Sequence, residues 1–313
     1  GLMEEPEFDI VLAAMVGFSG LESTIAALKA GKTVALANKE TLVAAGSIVT
    51  AVSIEHNAPI IPVDSEHSAI FQCLKGETAG SWCPPYSYTT SENCIEKLVL
   101  TASGGPFRTW EKERIALATK DMALKHPNWN MGAKITVDSA TMMNKGFEVI
   151  EARWLFDARP EDINVVVHPE SIIHSMVEFE DGAVLAQLGY PDMREPIQLA
   201  LGFPDRLPLN NRKLDFASLG SLTFAVPDTD KFPALSLAFE ALRRGGNIPC
   251  VLNAANEAAV AAYLQDRIGF YDISRIAEQC IDGADFVANP SLDDIFATND
   301  ETFARANELI SRW

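Results

Sequence analysis

Cysteine is scarce in this chain and follows no recognisable spacing. Five cysteines occur in 313 residues, an odd number, and no two of them form a C-x-x-C pair. Disulfide-stabilised small proteins carry an even number of cysteines, and structural zinc sites use paired cysteines. The composition therefore argues against both classes. We expect reduced thiols, as in a bacterial cytoplasm or a plastid stroma.

The chain is also poor in positive charge and in long apolar segments. Its 25 lysines and arginines face 43 acidic residues, a formal net charge of −18, which argues against nucleic acid and membrane surfaces as partners. No apolar run approaches the roughly 20 residues that span a bilayer, and residues 1–20 lack the pattern of a signal peptide. With 48% hydrophobic residues, we expect a soluble, non-secreted protein of two or three domains.

The glycine-rich turn G-x-G-x-x-G, which usually opens a dinucleotide-binding fold, is absent before residue 60. The same region nevertheless alternates apolar strand patterns with helical periods. The predicted elements are strands Ile10–Val16, Thr33–Ala37 and Pro59–Val63 and helices Leu21–Ala30 and Glu40–Glu55. This βαβαβ order implies a parallel sheet flanked by helices. We interpret residues 1–63 as a truncated Rossmann-like sheet whose first βαβ portion was removed or never present.

The rest of the chain separates into three predicted segments. Residues 64–202 are expected to form an α+β domain with antiparallel strand pairs. Its predicted strands are Leu98–Thr101, Asn164–Val167, Ile172–Phe179 and Ala183–Leu188. After Pro191 the periodicity fades, so residues 203–228 are interpreted as a linker, and residues 229–313 as a small helical domain. Its predicted helices are Ala234–Arg244, Asn253–Leu264, Ile273–Ile281 and Asp300–Trp313. The polar segment 77–96 is expected to be a surface loop, with no assigned role.

Two carboxylates follow the third predicted strand. If the strand continues, alternation points Asp64 and Glu66 to the same side, where they could share one cation. The alternative for this pair alone is a solvated strand end or a helix N-cap. A third acid, Glu148, lies near a predicted helix start and would complete a hard oxygen site for Mg²⁺ or Mn²⁺. For Glu148 and Glu151, the competing interpretation is an acid that complements the helix dipole.

Three segments offer donors for a phosphate group. Ser103 follows a strand and precedes two glycines, whose backbone N–H groups can approach an anion. Ser139 adds a hydroxyl, and Asn144 and Lys145 add an amide and an ammonium at a predicted helix start. Each segment alone is more commonly a plain turn or a solvated cap. Together, beside three acids, they favour a phosphorylated substrate.

A histidine and a tryptophan occupy a non-helical segment at residues 126–132. Pro127 disfavours helix at His126, and Trp129 is a large aromatic in the same segment. The segment is either a hydrophobic anchor on the core or a lid, in which Trp129 excludes water and His126 binds an anion. The histidines interpreted as structural, by strand alternation or by unsuitable spacing, are His67, His168 and His174.

Six strings of sequence, in order over residues 10–313, match one known family. They are ALANKE at 35–40, PVDSEH at 62–67, TASGGPFR at 101–108, HPNWNMG at 126–132, VDSATMMNKG at 137–146 and NAANE at 253–257. In these strings the chain resembles 1-deoxy-D-xylulose 5-phosphate reductoisomerase, the NADPH- and metal-dependent enzyme of non-mevalonate isoprenoid biosynthesis. The family reaction rearranges the carbon skeleton of its substrate and then reduces the resulting aldehyde to 2-C-methyl-D-erythritol 4-phosphate.

The resemblance implies a role for each matched residue. The residues implied at the divalent metal, Mg²⁺ or Mn²⁺, are Asp64, Glu66 and Glu148. The residues implied at the substrate phosphate are Ser103, Ser139, Asn144 and Lys145. Those implied along the rest of the substrate are Lys39, Ser65 and His126, and those implied beside NADPH are Asn38, Glu40 and Gly132. Lys39 would act in catalysis with Asp64 and Glu66. Trp129 would belong to a lid within residues 103–133 of the catalytic domain.

The resemblance also implies a homodimer and phosphonate inhibitors as ligands. Because the glycine-rich turn is missing, we expect this chain alone to bind metal and phosphonates but to bind NADPH poorly. Two other functions stay open from the sequence. One is a related metal-dependent dehydrogenase or isomerase that acts on a different phosphorylated substrate. The other is a non-catalytic assembly module whose working part is the C-terminal helices.

Overall fold

The fold is described by a computed structural model for residues 5, 7–77, 94–125 and 131–312. Contacts within the chain define two compact units. The first unit comprises residues 1–42, 46–102 and 151–225, and the second comprises residues 43–45, 103–150 and 226–313. Both units are assembled from segments that are distant in sequence. The predicted domain boundaries, which follow the chain from one end to the other, stay a prediction.

The first unit begins with a three-stranded sheet. Its elements are β1 (Ile10–Ala13), α1 (Leu21–Lys29), β2 (Thr33–Leu36), α2 (Lys39–Glu55) and β3 (Ile60–Pro62). The strands lie in the order β1-β2-β3, and both pairs are parallel. All residues of β3 and most of β2 are buried, as is typical of strands with both faces covered. The predicted α/β class and parallel sheet are confirmed.

A second sheet of four strands completes the first unit. Its strands are β4 (Ile95–Ala102), β5 (Ile163–Val167), β6 (Ile173–Phe179) and β7 (Val184–Leu188). The order is β5-β4-β6-β7, with β4 parallel to β5 and antiparallel to β6, and β6 antiparallel to β7. The expected antiparallel pairs are therefore present. Helix α3 (Ser65–Leu74) packs against β6 and β7 and is buried along most of its length.

The second unit is helical. Beyond α3, the helices of the described residues are α4 (Lys112–Ile115), α5 (Lys120–Ala123), α6 (Ala133–Thr141), α7 (Met143–Phe156), α8 (Arg194–Gly202), α9 (Phe216–Leu219), α10 (Pro233–Arg244), α11 (Ile248–Leu264), α12 (Phe270–Asp282) and α13 (Leu292–Ile310). Of these, α8 and α9 belong to the first unit. Helices α12 and α13 pack on α11, which is buried along almost its whole length. The four predicted C-terminal helices are all present. The unit boundary falls inside α7, after Ile150.

One local prediction was wrong, and one helix was not predicted. Strand β3 ends at Pro62 and helix α3 begins at Ser65, so Asp64 and Glu66 are not alternate residues of a strand. Helix α8, which lies before the predicted linker, was not predicted because the proline at its third position interrupts the helical pattern. Proline is tolerated there because the first turn of a helix has no intrahelical acceptors for its N–H groups.

The described part of the chain has no helix that is both long and apolar enough to cross a bilayer. Its cysteines are free thiols, and only Cys94 is exposed. Burial raises the pKa of the Cys73 thiol to about 11, because a thiolate loses solvation in an apolar environment. Most of the predicted surface loop at 77–96 lies outside the described residues.

Candidate active site

Asp64 stands at the N-terminal end of α3, directly after β3. The N–H of Ser68 donates to the Asp64 backbone carbonyl at 2.8 Å, whereas the Asp64 carboxylate makes no capping hydrogen bond. Its Oδ2 instead forms an ion pair with Nζ of Lys39, and the two side chains are only 12% and 8% exposed. A carboxylate in this position is available to a cation, because the helix does not use it as a cap.

Lys39 is held in place by the neighbouring residue, Asn38. The Asn38 side chain accepts a hydrogen bond from the N–H of Thr41 at 3.0 Å and donates one to the carbonyl of Gly17 at 2.9 Å. These bonds tie the segment after β1 to the start of α2. Lys39 and Asp64 thus follow the carboxyl ends of the paired strands β2 and β3, the edge where parallel sheets commonly bind ligands.

Glu66 lies in the first turn of α3, close to Asp64 in the chain. Its Oε2 accepts a hydrogen bond from the Ser65 hydroxyl at 2.6 Å. Ser65 is buried and Glu66 is half-buried. The helix, rather than a strand, brings these expected site residues to one end of the element.

A histidine and a further acid also lie at Asp64. His67 Nδ1 is 3.2 Å from Oε2 of Glu151 and 4.0 Å from Oδ2 of Asp64. The possible ligand atoms of these three residues all lie within 4.8 Å of one another. The His67 ring stacks on Phe156, with the ring planes at 8°. His67 was interpreted as structural because neighbouring residues of a strand point to opposite sides. This reason was wrong, because His67 lies in a helix. In a helix that begins after Asp64, His67 lies about one turn from Asp64 and on the same side.

Glu148 lies in the second turn of α7, in the second unit. Its side chain is almost fully buried, its Oε1 accepts a hydrogen bond from the Asn144 amide, and its Oε2 pairs with Nζ of Lys145. Two expected phosphate donors therefore contact an expected metal ligand. The first turn of α7 contains no acid, so neither Glu148 nor Glu151 is placed to complement the helix dipole, which weakens beyond that turn.

The expected phosphate residues of the second unit meet where α6 ends and α7 begins, at residues 138–145, here called the α6–α7 corner. Met142 joins the two helices in a left-handed conformation with φ of 64°. Non-glycine residues rarely adopt this conformation unless their surroundings impose it. The corner presents Ser139 at the end of one helix and Asn144 and Lys145 in the first turn of the next.

The segment Ser103–Gly105, here called the glycine loop, lies against this corner. The Ser103 hydroxyl accepts a hydrogen bond from the N–H of Gly105 at 3.2 Å. Gly105 has φ of 67°, and a Cβ atom added to it would lie 2.8 Å from the carbonyl oxygen of Ser139. Only glycine allows this approach. The glycine loop thereby packs against the backbone of Ser139.

Of the other expected site residues, the structure describes Gly132 and Glu40 but not His126 and Trp129. Gly132 is the N-cap residue of α6, and Glu40 is a half-buried residue in the first turn of α2. His126 and Trp129 lie outside the described residues, so the lid stays a prediction.

Three stretches of the chain match models of one protein family. Residues 1–46 match 1-deoxy-D-xylulose 5-phosphate reductoisomerase, and residues 60–156 match the C-terminal domain of the same enzyme. Residues 188–305 match a DXP reductoisomerase C-terminal domain. The protein of that name from Bacteroides fragilis is 54% identical over 311 residues, which cover 99% of this chain and 77% of the relative.

The chain belongs to the 1-deoxy-D-xylulose 5-phosphate reductoisomerase family. The family member from Bacteroides thetaiotaomicron is 56% identical over 309 residues, covering 99% of this chain and 76% of that protein. A solved DOX-P reductoisomerase in complex with NADPH, fosmidomycin and magnesium has a TM-score of 0.93 and 44% identity, covering 99% of this chain and 77% of that one. The Zymomonas mobilis reductoisomerase in complex with NADPH has a TM-score of 0.87 and 45% identity, over 98% of this chain and 76% of the other.

Proposed function

We propose that this chain catalyses the rearrangement and NADPH-dependent reduction of 1-deoxy-D-xylulose 5-phosphate to 2-C-methyl-D-erythritol 4-phosphate. Family membership over 99% of the chain supports this reaction. Within the molecule, the observation that carries the proposal is the ion pair between Lys39 and Asp64 at the carboxyl edge of the first sheet. It places an ammonium group beside a carboxylate that the helix leaves available.

We propose Asp64, Glu66 and Glu148 as the ligands of Mg²⁺ or Mn²⁺. All three supply the hard oxygen atoms that these ions prefer. The carboxylates of Asp64 and Glu148 each form an ion pair with a lysine ammonium, so both positions attract positive charge. When bound, the ion would polarise the carbonyl and hydroxyl oxygens of the substrate as a Lewis acid.

The side chains of the protein would bind and orient the substrate. The ammonium of Lys39 can neutralise charge that develops on the substrate oxygens, or hold Asp64 in place. Ser65 and His126 are proposed along the sugar chain. The glycine loop and the α6–α7 corner would hold the phosphate through Ser103, Ser139, Asn144 and Lys145. Remote binding of this kind orients the reacting carbon atoms.

We further propose that NADPH lies along Asn38, Glu40 and Gly132, and that Trp129 closes a lid which excludes water from the reacting atoms. Fosmidomycin is bound in a solved relative, and the same phosphonate is proposed as a ligand here. We propose that the protein is a homodimer in the cytoplasm of a bacterium or in a plastid stroma. We propose no nucleic acid or membrane as a partner.

The test is an assay of NADPH consumption with 1-deoxy-D-xylulose 5-phosphate and Mg²⁺ or Mn²⁺, with identification of the product. The unphosphorylated sugar serves as the substrate control and should react poorly. Glu148→Gln should abolish turnover and weaken metal binding, whereas Glu240→Gln, at an exposed helical glutamate, should change neither. No product from the wild-type protein at an NADPH concentration that saturates it would favour a related enzyme with a different phosphorylated substrate. Unchanged metal affinity in Glu148→Gln would overturn the assigned metal site.

A further inference from the structure

Asp138 is a buried carboxylate in α6, immediately before Ser139. Its side chain is 2% exposed, yet both oxygens have donors within the second unit. Oδ1 accepts a hydrogen bond from Nδ2 of Asn256 at 2.8 Å, and Oδ2 pairs with Nζ of Lys134 at 2.9 Å. Asn256 belongs to α11, 118 residues further along the chain. This bond therefore joins the C-terminal helices to the helix that carries Ser139.

The α6–α7 corner depends on Asp138 for its local geometry. The hydroxyl of Thr141 donates to the backbone carbonyl of Asp138 at 3.2 Å and accepts from the N–H of Met143 at 3.3 Å. Met142 lies between them in its left-handed conformation. An unfavourable backbone conformation persists only where the surrounding structure fixes it. Movement of Asp138 would therefore be transmitted to the residues that follow.

Asn256 is an unusual residue for its position in α11. The helix is buried and largely apolar, and Asn256 is itself fully buried. Its Oδ1 has no hydrogen-bond partner among the described residues, which is a cost that an apolar side chain would avoid. At this position the Asn256 amide contributes one hydrogen bond, which its N–H group donates to Asp138.

We propose that Asn256 is a positioning residue for the phosphate group of the substrate. Its hydrogen bond to Asp138 fixes the α6–α7 corner in the arrangement in which Ser139, Asn144 and Lys145 meet the phosphate. Asn256 itself touches no substrate. The inference rests on the proposed function in one respect, the assignment of the corner to phosphate binding.

Asn253 provides a matched control on the same helix. It is also fully buried, and it lies one helical turn before Asn256. Its Nδ2 donates to Oε1 of Glu257 at 3.1 Å, a bond that stays within α11. Asn253→Leu thus disturbs the same buried helix without breaking the link to Asp138.

The experiment compares Asn256→Leu with Asn253→Leu. Asn256→Leu should raise the KM for 1-deoxy-D-xylulose 5-phosphate and the Kd for fosmidomycin, measured by calorimetry, about tenfold, the usual effect of losing a hydrogen bond to a charged group. The KM for NADPH should stay unchanged, and kcat should fall less than KM rises. Asn253→Leu should leave all binding constants unchanged. A purely structural effect lowers the fraction of active enzyme, and so lowers kcat without changing KM.

An exchange of the two side chains gives a rescue test. Asn256→Asp alone places two carboxylates together and should raise KM, whereas Asp138→Asn combined with Asn256→Asp restores a donor and an acceptor and should lower KM again. An unchanged KM in Asn256→Leu, an equal rise in Asn253→Leu, or no recovery in the exchange would overturn the proposal. If the wild type binds fosmidomycin but does not turn over the substrate at saturating NADPH, the proposed function fails. Weaker fosmidomycin binding by Asn256→Leu would still support the positioning role.

Discussion

Replacing Lys39 by methionine removes an ammonium group from a largely buried carboxylate. The Asp64 side chain is 12% exposed and would lose the ion-pair partner on its Oδ2. Removing one member of a buried ion pair typically costs about 3–5 kcal/mol, because the other charge is left uncompensated. The remaining exposure of Asp64 reduces this cost to about 2–3 kcal/mol. For a protein of this size, we expect the melting temperature to fall by about 3–5 °C.

Magnesium should reverse much of this loss if Asp64 is a metal ligand. A divalent ion supplies the charge that Lys39 provided, and a ligand at about one hundred times its Kd stabilises the folded state by about 2.7 kcal/mol. In the wild type, the ammonium of Lys39 competes with the ion for the Asp64 carboxylate. Magnesium should therefore raise the melting temperature of Lys39→Met more than that of the wild type.

The assay is thermal unfolding of both proteins in EDTA and in saturating Mg²⁺. Lys120→Met is the control, because Lys120 pairs with Asp266 at 2.6 Å where the side chains are 32% and 66% exposed. An exposed pair contributes at most about 1 kcal/mol, and its loss should not depend on magnesium. Lys39→Met as stable as the wild type in EDTA, or an equal shift by magnesium in all three proteins, would show that Lys39 does not compensate the charge of a metal-binding Asp64.

Two further predictions follow from the packing and from burial. Gly105→Ala should destabilise the protein by about 1–3 kcal/mol and raise the KM for the substrate, because its Cβ meets the carbonyl of Ser139 at 2.8 Å. Gly182→Ala, also at positive φ but with nothing within 4 Å of the new Cβ, should leave KM unchanged, and equal effects on KM would contradict this. A thiol reagent should modify exposed Cys94 well before the buried thiols, as followed by mass spectrometry, and equal rates would count against it. Among the described residues, the buried thiols are Cys73, Cys250 and Cys280.

Much of the fold could be predicted because periodicity is a local property of the sequence. The parallel strands up to β3 and the C-terminal helices both appear as repeating apolar positions. The start of α3 could not be predicted in this way. An apolar run followed by Asp64-Ser65-Glu66 fits either a strand end or a helix start. The choice is decided by burial of α3 against β6 and β7, strands that come about 100 residues later in the chain.

The candidate site, like the fold, could be predicted from the sequence only in part. Residue chemistry alone selects Asp64, Glu66 and Glu148, because hard cations need carboxylate oxygens. It does not identify the contact between His67 and Glu151, since their pairing depends on how distant segments fold together. The hydrogen bond from Asn256 to Asp138 likewise joins residues 118 positions apart. In each case the residue type is visible in the sequence, but its partner is not.

The proposed metal site consists of Asp64, Glu66 and Glu148, which would share one divalent ion. The most direct measurement is an anomalous difference map from a crystal of this protein grown with Mn²⁺ and fosmidomycin. We expect a single manganese peak within coordination distance of an oxygen atom from each of the three carboxylates. A peak coordinated by His67 and Glu151 instead, or one that does not involve Glu148, would contradict it.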